Sequence, residues 1–261
     1  AKKVHYLGRD WVDNVISGDT KVAGLTINQE IVKEEIAQDL YETGTTSYLV
    51  DLGVADTKPN PNYQTVGSGN AAISVGTTYG DFVSLTYNGN AVEGAAYADG
   101  VLTFPVNIFA ATDRGTEKTV VLKTTTKTAN YTLTVHLFVA TRVIKTTAEF
   151  EEVFRVIAAS KFICGYFVLG ADLDYAGNAL PAPGGTVGDL SKMNGLMGTF
   201  DGRGHSIKNF NTGNSYGLFP IIKYNDKSYI KNLVFENLVH TGNKNSTIFA
   251  SSMQGITLEN I

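Results

Sequence analysis

Asp201-Gly202-Arg203-Gly204-His205 brings a carboxylate, a guanidinium and an imidazole into five consecutive residues. Glycoside hydrolysis needs two carboxylates flanking the scissile bond, and a polysaccharide lyase needs a base beside a cation that neutralises a uronate. In such chemistry Asp201 would be the base, Arg203 the cation and His205 a proton shuttle. The same five residues also suit a tight turn between strands, with Asp201 and the two glycines making the bend and His205 bonded to backbone at its exit. The turn is the reading we expect, because a string of residue types does not supply the geometry on which a site depends.

Two other sets have the right chemistry at the wrong density. Asp172, Asp174 and Asn178 form a D-x-D-x-x-G-N loop of oxygen ligands that would suit calcium, but Ala176 stands where an EF-hand loop would place another oxygen. These carboxylates equally suit turn amides after a strand. Trp11 with Tyr6 could stack on a sugar ring, or anchor the packing of the N-terminal segment. His5, His136 and His240 are scattered without H-x-x-x-H or cysteine partners, so no zinc signature is present. The single cysteine, Cys164, lies in the apolar run Phe162-Ile163-Cys164, which predicts a buried thiol. No phosphate loop, nucleophile elbow or dinucleotide fingerprint appears.

The elements that would position these residues divide the chain in three. Residues 1–45 form an N-terminal segment in which Thr26 to Tyr41 reads as a surface helix. Thr26 and Gln29 have capping-box spacing, Ile27, Ile31, Ile36 and Leu40 form its apolar face, and Gly44 is placed to end it. Residues 46–142 change to short strands. These are Ser47 to Leu52, Ala72 to Val75, Val83 to Tyr87, Val101 to Phe104, Thr119 to Thr126 and Tyr131 to Val139, with Asn88-Gly89 as the strongest hairpin signal. From residue 143, Thr146-Thr147-Ala148-Glu149 is a capping box that opens a helix running to about Ser160. Repeats follow. His205-Ser206-Ile207-Lys208-Asn209, Ser228-Tyr229-Ile230-Lys231-Asn232 and Gln254-Gly255-Ile256-Thr257-Leu258 align on isoleucine at spacings of 23 and 26. Gly217-Leu218-Phe219-Pro220 and Thr247-Ile248-Phe249-Ala250 make a second series. Units too short to bury their own apolar face imply a solenoid, with Asn209 and Asn232 forming ladders at the turns.

Composition bounds the partners. The 261 residues include 27 Gly, 13 Tyr and 13 Phe with 18% charged, which excludes disorder, and a formal charge of −4 supplies no basic field for a phosphate backbone. No run approaches the roughly eighteen apolar residues of a membrane helix.

Two resemblances sharpen this. Thr78-Tyr79-Gly80-Asp81, Ala98-Asp99-Gly100-Val101-Leu102-Thr103-Phe104-Pro105 and the closing Thr119-Val120-Val121-Leu122 with Tyr131-Thr132-Leu133-Thr134-Val135 resemble bacterial immunoglobulin-like domains of surface and carbohydrate-active proteins. Such domains serve as spacers. Gly198-Thr199-Phe200-Asp201-Gly202-Arg203-Gly204-His205-Ser206-Ile207, with Gly217-Leu218-Phe219 and Ile230-Lys231-Asn232-Leu233, looks like the GLUG-repeat surface proteins, with Pro220 where their signature closes on glycine. Together they imply a mainly β chain, an immunoglobulin-like β-sandwich followed by the start of a right-handed parallel β-helix, with two short helices. The expected role is an extracellular or cell-surface spacer and adhesive, glycan-binding or assembly module, secreted with its signal peptide removed. The alternative is a polysaccharide lyase or glycoside hydrolase using the β-helix groove. Calcium is the one cofactor considered, and a glycan or surface protein the partner. Ile261 falls inside a repeat, so a further segment or another chain is expected to cap the stack.

Overall fold

The computed structural model describes residues 3–6, 9–12, 38–53, 66–156, 162–181, 195–212, 216–219, 221–222, 228–241, 247–250, 252–253 and 255–261. It is mainly β. Contacts separate two units, Ala1–Ile36 and Ala37–Ile261. In the first, β1 (Lys3–Tyr6) and β2 (Arg9–Val12) pair antiparallel, with Val4 opposite Trp11 and Tyr6 opposite Arg9.

The second unit opens on a strand where the sequence predicts the end of a helix. The helix expected over Thr26–Tyr41 lies mostly outside the described residues, and its last four positions belong to β3, a fourteen-residue strand over Gln38–Asp51. Gly44 sits inside that strand instead of ending a helix, and the strand crosses the expected boundary at residue 46. The reason is pairing. β3 runs parallel to β10 (Ala129–Ala140) in a ladder from Gln38↔Ala129 to Asp51↔Ala140, and those main-chain bonds override a weak local helical pattern.

The remaining strands of this half are β4 (Asn70–Ser74), β5 (Asp81–Tyr87), β6 (Asn90–Ala91), β7 (Ala96–Ala98), β8 (Val101–Pro105) and β9 (Thr116–Thr125). They form a five-stranded sheet ordered β3-β10-β9-β5-β6 and a three-stranded sheet ordered β4-β8-β7. Asn88 and Gly89 between β5 and β6 have φ of 51° and 80°, as a type I′ hairpin requires. Alternate residues of the longer strands enter one core, among them Leu85, Leu102, Phe104, Val120, Leu122 and Leu137.

No linker separates this half from the next. β10 passes through Thr141 directly into β11 (Arg142–Ile144). Asp51 at the end of β3 accepts hydrogen bonds from the Val143 amide (2.9 Å) and Arg142 Nε (3.4 Å). The Thr141 hydroxyl accepts from the Tyr166 amide, and the rings of Phe138 and Tyr166 meet edge to face at 5.5 Å.

Helix α1 (Thr147–Glu151) opens on the expected capping box: Thr146 Oγ1 accepts from the Glu149 amide and Glu149 Oε2 from the Thr146 amide. A π-helical turn continues it over Glu152–Val156. Beyond it the strands are β12 (Phe162–Leu169), β13 (Leu173–Asp174), β14 (Gly195–Asp201), β15 (Ser206–Lys208), β16 (Ile221–Ile222), β17 (Ser228–Lys231), β18 (Val234–Glu236), β19 (Ser252–Met253) and β20 (Ile256–Glu259). They fill two parallel sheets. One holds β11, β12, β14, the pair β16/β17 and the pair β19/β20, and the other is β13-β15-β18. From β12 onward the chain passes back and forth between them, entering the larger sheet as β12, β14, β16/β17 and β19/β20 and the smaller as β13, β15 and β18.

That alternation corrects the expected repeat. Ile207 pairs with Phe235 in the smaller sheet, whereas Ile230 pairs with Phe200 and Leu258 in the larger one. Ile230 to Leu258 and Ile207 to Phe235 are each 28 positions apart. Aligning Ile207 with Ile230 superimposes two different sheets. The second series has the register its spacing predicts, since the Leu218 and Phe219 amides donate to the Ile248 and Phe249 carbonyls. Between the sheets lies the second core, in which Phe150 and Phe154 pack on Phe167, Phe200 and Phe219 at ring separations of 5.0–5.9 Å.

Candidate functional site

The turn after β14 places its three chemically capable residues on three different tasks. Arg203 and Gly204 have φ of 51° and 85°, and the His205 amide closes back on the Gly202 carbonyl at 2.8 Å. Asp201 is 5% exposed. Its Oδ1 accepts from the Arg203 amide and from Asn232 Nδ2, both at 3.0 Å, and its Oδ2 accepts from the Tyr166 hydroxyl at 2.9 Å. Lys231 Nζ stands 3.7 Å from Oδ2. Burial pushes the Tyr166 phenol up and the Asp201 carboxylate adds to this, while Lys231 works against it. The phenol therefore keeps the proton it donates.

Arg203 and His205 face elsewhere. The guanidinium lies over the Phe138 ring, 4.8 Å from its centroid, a cation–π contact. The His205 ring meets Asp172 at 3.2 Å. Base, cation and shuttle are thus not converged on one point, and the Asp201 oxygens already hold three donors.

The residues considered for calcium are likewise engaged by N–H groups. Asp172 accepts from the Ser206 amide at 3.0 Å and lies 3.6 Å from Lys208 Nζ, while Asp174 accepts from the Ala176 amide and from Asn209 Nδ2. Asn178 contributes main-chain bonds to Tyr175 and Asn211. Among the described residues no three His, Cys, Asp or Glu side chains gather to hold a metal ion. Cys164 is buried, as its apolar neighbours predict.

Both carboxylates are held below the usual aspartate range: Asp172 chiefly by the Ser206 amide and then His205, Asp174 chiefly by Asn209 and then the Ala176 amide. A depressed carboxyl contributes stability that is full above its unfolded pKa and is lost as pH falls through its folded one. Thermal melts over about pH 5 to 2 should therefore show a shallower acid decline for an Asp172→Asn, Asp174→Asn double variant than for the parent. Parallel declines would contradict it.

The chain matches no family model, no curated protein and no solved structure. What the geometry does reveal is a pair of amide ladders. Asn232 donates to Asp201, and Asn260 Nδ2 donates to Asn232 Oδ1 at 3.0 Å. On the other sheet Asn209 donates to Asp174, and Asn237 Nδ2 donates to Asn209 Oδ1 at 3.0 Å. All four asparagines have φ near 50°, a left-handed conformation that Asn tolerates better than other side chains with a Cβ. An ionised aspartate has no proton to give, so it can only begin such a ladder. Asn209 and Asn232 were expected as ladder residues. Asp174 and Asp201 as ladder starts, with Tyr166 and Lys231 as partners, were missed, though Asp201 and Lys231 each follow a buried apolar residue, Phe200 and Ile230.

Proposed function

We propose that the chain is a non-catalytic extracellular module of a bacterial surface protein. An immunoglobulin-like sandwich acts as a spacer and carries the coils of a parallel β-helix used for adhesion, glycan contact or assembly. The observation that carries this reading is the satisfaction of Asp201: buried, with its oxygens taken by Tyr166, Arg203 and Asn232, it is the start of a ladder and not a base awaiting substrate. Glycan contact is supported by an open groove of about 490 Å³ lined by Asn209, Asn211 and Asn237 with Phe210 and Val239. Side-chain amides offer both a donor and an acceptor to sugar hydroxyls.

One observation favours the enzymatic alternative. Asp201, Lys231 and Glu259 stand on successive paired strands, so the two acids are two rungs apart, roughly 9.5 Å at the backbone. Inverting glycosidases place their carboxyl groups at about such a separation.

Reducing-end and unsaturated-product assays on a panel of neutral and uronate polysaccharides separate the two. We expect no turnover by the parent. Turnover that disappears in Asp201→Asn or Glu259→Gln would establish the enzyme instead. A glycan array with Trp11→Ala and Tyr6→Ala then tests whether the N-terminal hairpin contributes to binding.

A further inference from the structure

Where the two halves of Ala37–Ile261 meet, the structure holds an open cleft of about 400 Å³. Asp51, Leu52 and Gly53 at the end of β3, Asn70 at the start of β4 and Val106 line it from the first half. Arg142 of β11 and Glu152 of the π-helical turn line it from the second. Small-molecule sites favour this size and such a place between two packed bodies.

Arg142 is the member whose bonding is incomplete. Its side chain is 19% exposed, and of the five N–H donors of a guanidinium only that on Nε has a partner, Asp51 Oδ2 at a long 3.4 Å. Among the described residues nothing accepts from Nη1 or Nη2. Asp51 does not need them, because its Oδ1 takes the Gly53 amide at 2.6 Å and its Oδ2 the Val143 amide at 2.9 Å. A guanidinium drawn out of water with its planar end unoccupied is a receptor for a carboxylate, which takes the two Nη protons in parallel. The Asn70 amide, also without a side-chain partner among the described residues, can add a donor.

Glu152 sets a second requirement. It is exposed, and among the described residues its carboxylate has no hydrogen-bond or ion-pair partner, Arg142 included. It would repel a ligand that carried negative charge alone. With Asp51 matched by amides, the cleft presents one cation and one anion that do not pair with each other. The complement is a molecule that carries both signs.

We propose that this cleft binds a small zwitterion of the amino-acid class, its carboxylate on Nη1 and Nη2 of Arg142, its ammonium on Glu152 and its side chain over Leu52 and Val106. Because the lining comes from both halves, the ligand bridges them beside the joint at Thr141. The assignment goes beyond the proposed function and does not depend on it.

The test is equilibrium dialysis of the full chain against radiolabelled leucine, with isopentylamine, which lacks the carboxylate, and isocaproate, which lacks the ammonium, as competitors. Saturable binding of leucine is expected, about tenfold tighter than either analogue. Arg142→Gln should weaken leucine about tenfold and leave isopentylamine unchanged. Glu152→Gln should weaken leucine about tenfold and bring isocaproate level with it, since the repulsion is gone. Melting curves check that the variants fold, and the exposed position of Glu152 keeps the test open if Arg142→Gln does not. No saturation by about 10 mM leucine, or equal leucine affinity of the parent and Glu152→Gln, would overturn the proposal. So would isocaproate matching leucine on the parent, which would make the cleft an anion site.

Discussion

Replacing Arg155 by alanine should lower the melting temperature by about 10 °C, measured by calorimetry or circular dichroism. Arg155 lies on the π-helical turn after α1 and is 2% exposed. Its guanidinium donates to three carbonyls from two distant segments: Pro181 from Nε at 3.0 Å and also from Nη2, Gly217 from Nη1 at 3.0 Å and Leu218 from Nη1 at 3.2 Å. Burial pushes its pKa down to about 10, opposed by Tyr175 and Glu151, so it remains a cation at neutral pH. Removing it leaves buried acceptors without their donor and opens a cavity the size of the side chain, together about 3–5 kcal/mol. Lysine would rescue only part, because a point charge on a flexible stem does not reproduce the planar fork. A shift under about 2 °C for the alanine variant would show that the carbonyls are satisfied another way.

Gly198→Ala should cost a similar amount, about 3–5 kcal/mol, for a different reason. Gly198 has φ of 144°, and a Cβ there would overlap the carbonyl oxygen of Gly165 on the neighbouring strand. Gly165 itself has φ of 147° and sits against the Thr141 side chain. Strands β12 and β14 therefore approach at a point where neither has room for a side chain, next to the residue that joins the two halves. Gly204→Ala is the control. Gly204 also has positive φ, 85°, but open space around its Cβ position, so its variant should lose only the backbone strain, roughly 1–2 kcal/mol. Equal losses at the two sites would remove steric overlap as the cause.

How much of this could be read from residue order depends on the range of the signal. The antiparallel strands of the first half were legible because their information is local: Asn88-Gly89 and Asp99-Gly100 take the positive φ their turns need, and alternation marks the inward residues of β10. β3 was not legible over Gln38 to Gly44, because an edge strand with mostly exposed side chains carries no period-two signal. The coil register was half legible. Apolar–Lys–Asn occurs once in each sheet of one turn, so self-similarity pointed to a period of 23, where the paired strands give 28. Asp201 showed its turn geometry in the flanking glycines, but its partners Tyr166, Lys231 and Asn232 lie about thirty positions away and are brought together only by stacking. Arg155 gave no signal at all, since a buried guanidinium and a solvated one look alike in a helix.

The parallel pairing of β3 with β10 has a mechanical consequence. Tension applied between residue 38 and the parallel sheets beyond residue 142 would pull these two strands past each other lengthwise. Its hydrogen bonds then share the load and must break together, as fibres do in shear, whereas a hairpin pulled at its open end unzips one bond at a time. The ladder's far end is pinned by Asp51 to the Val143 amide, directly across the joint. Loaded in that direction the unit resists stretching, and the force passes from β10 through Thr141 into β11 without a compliant segment between.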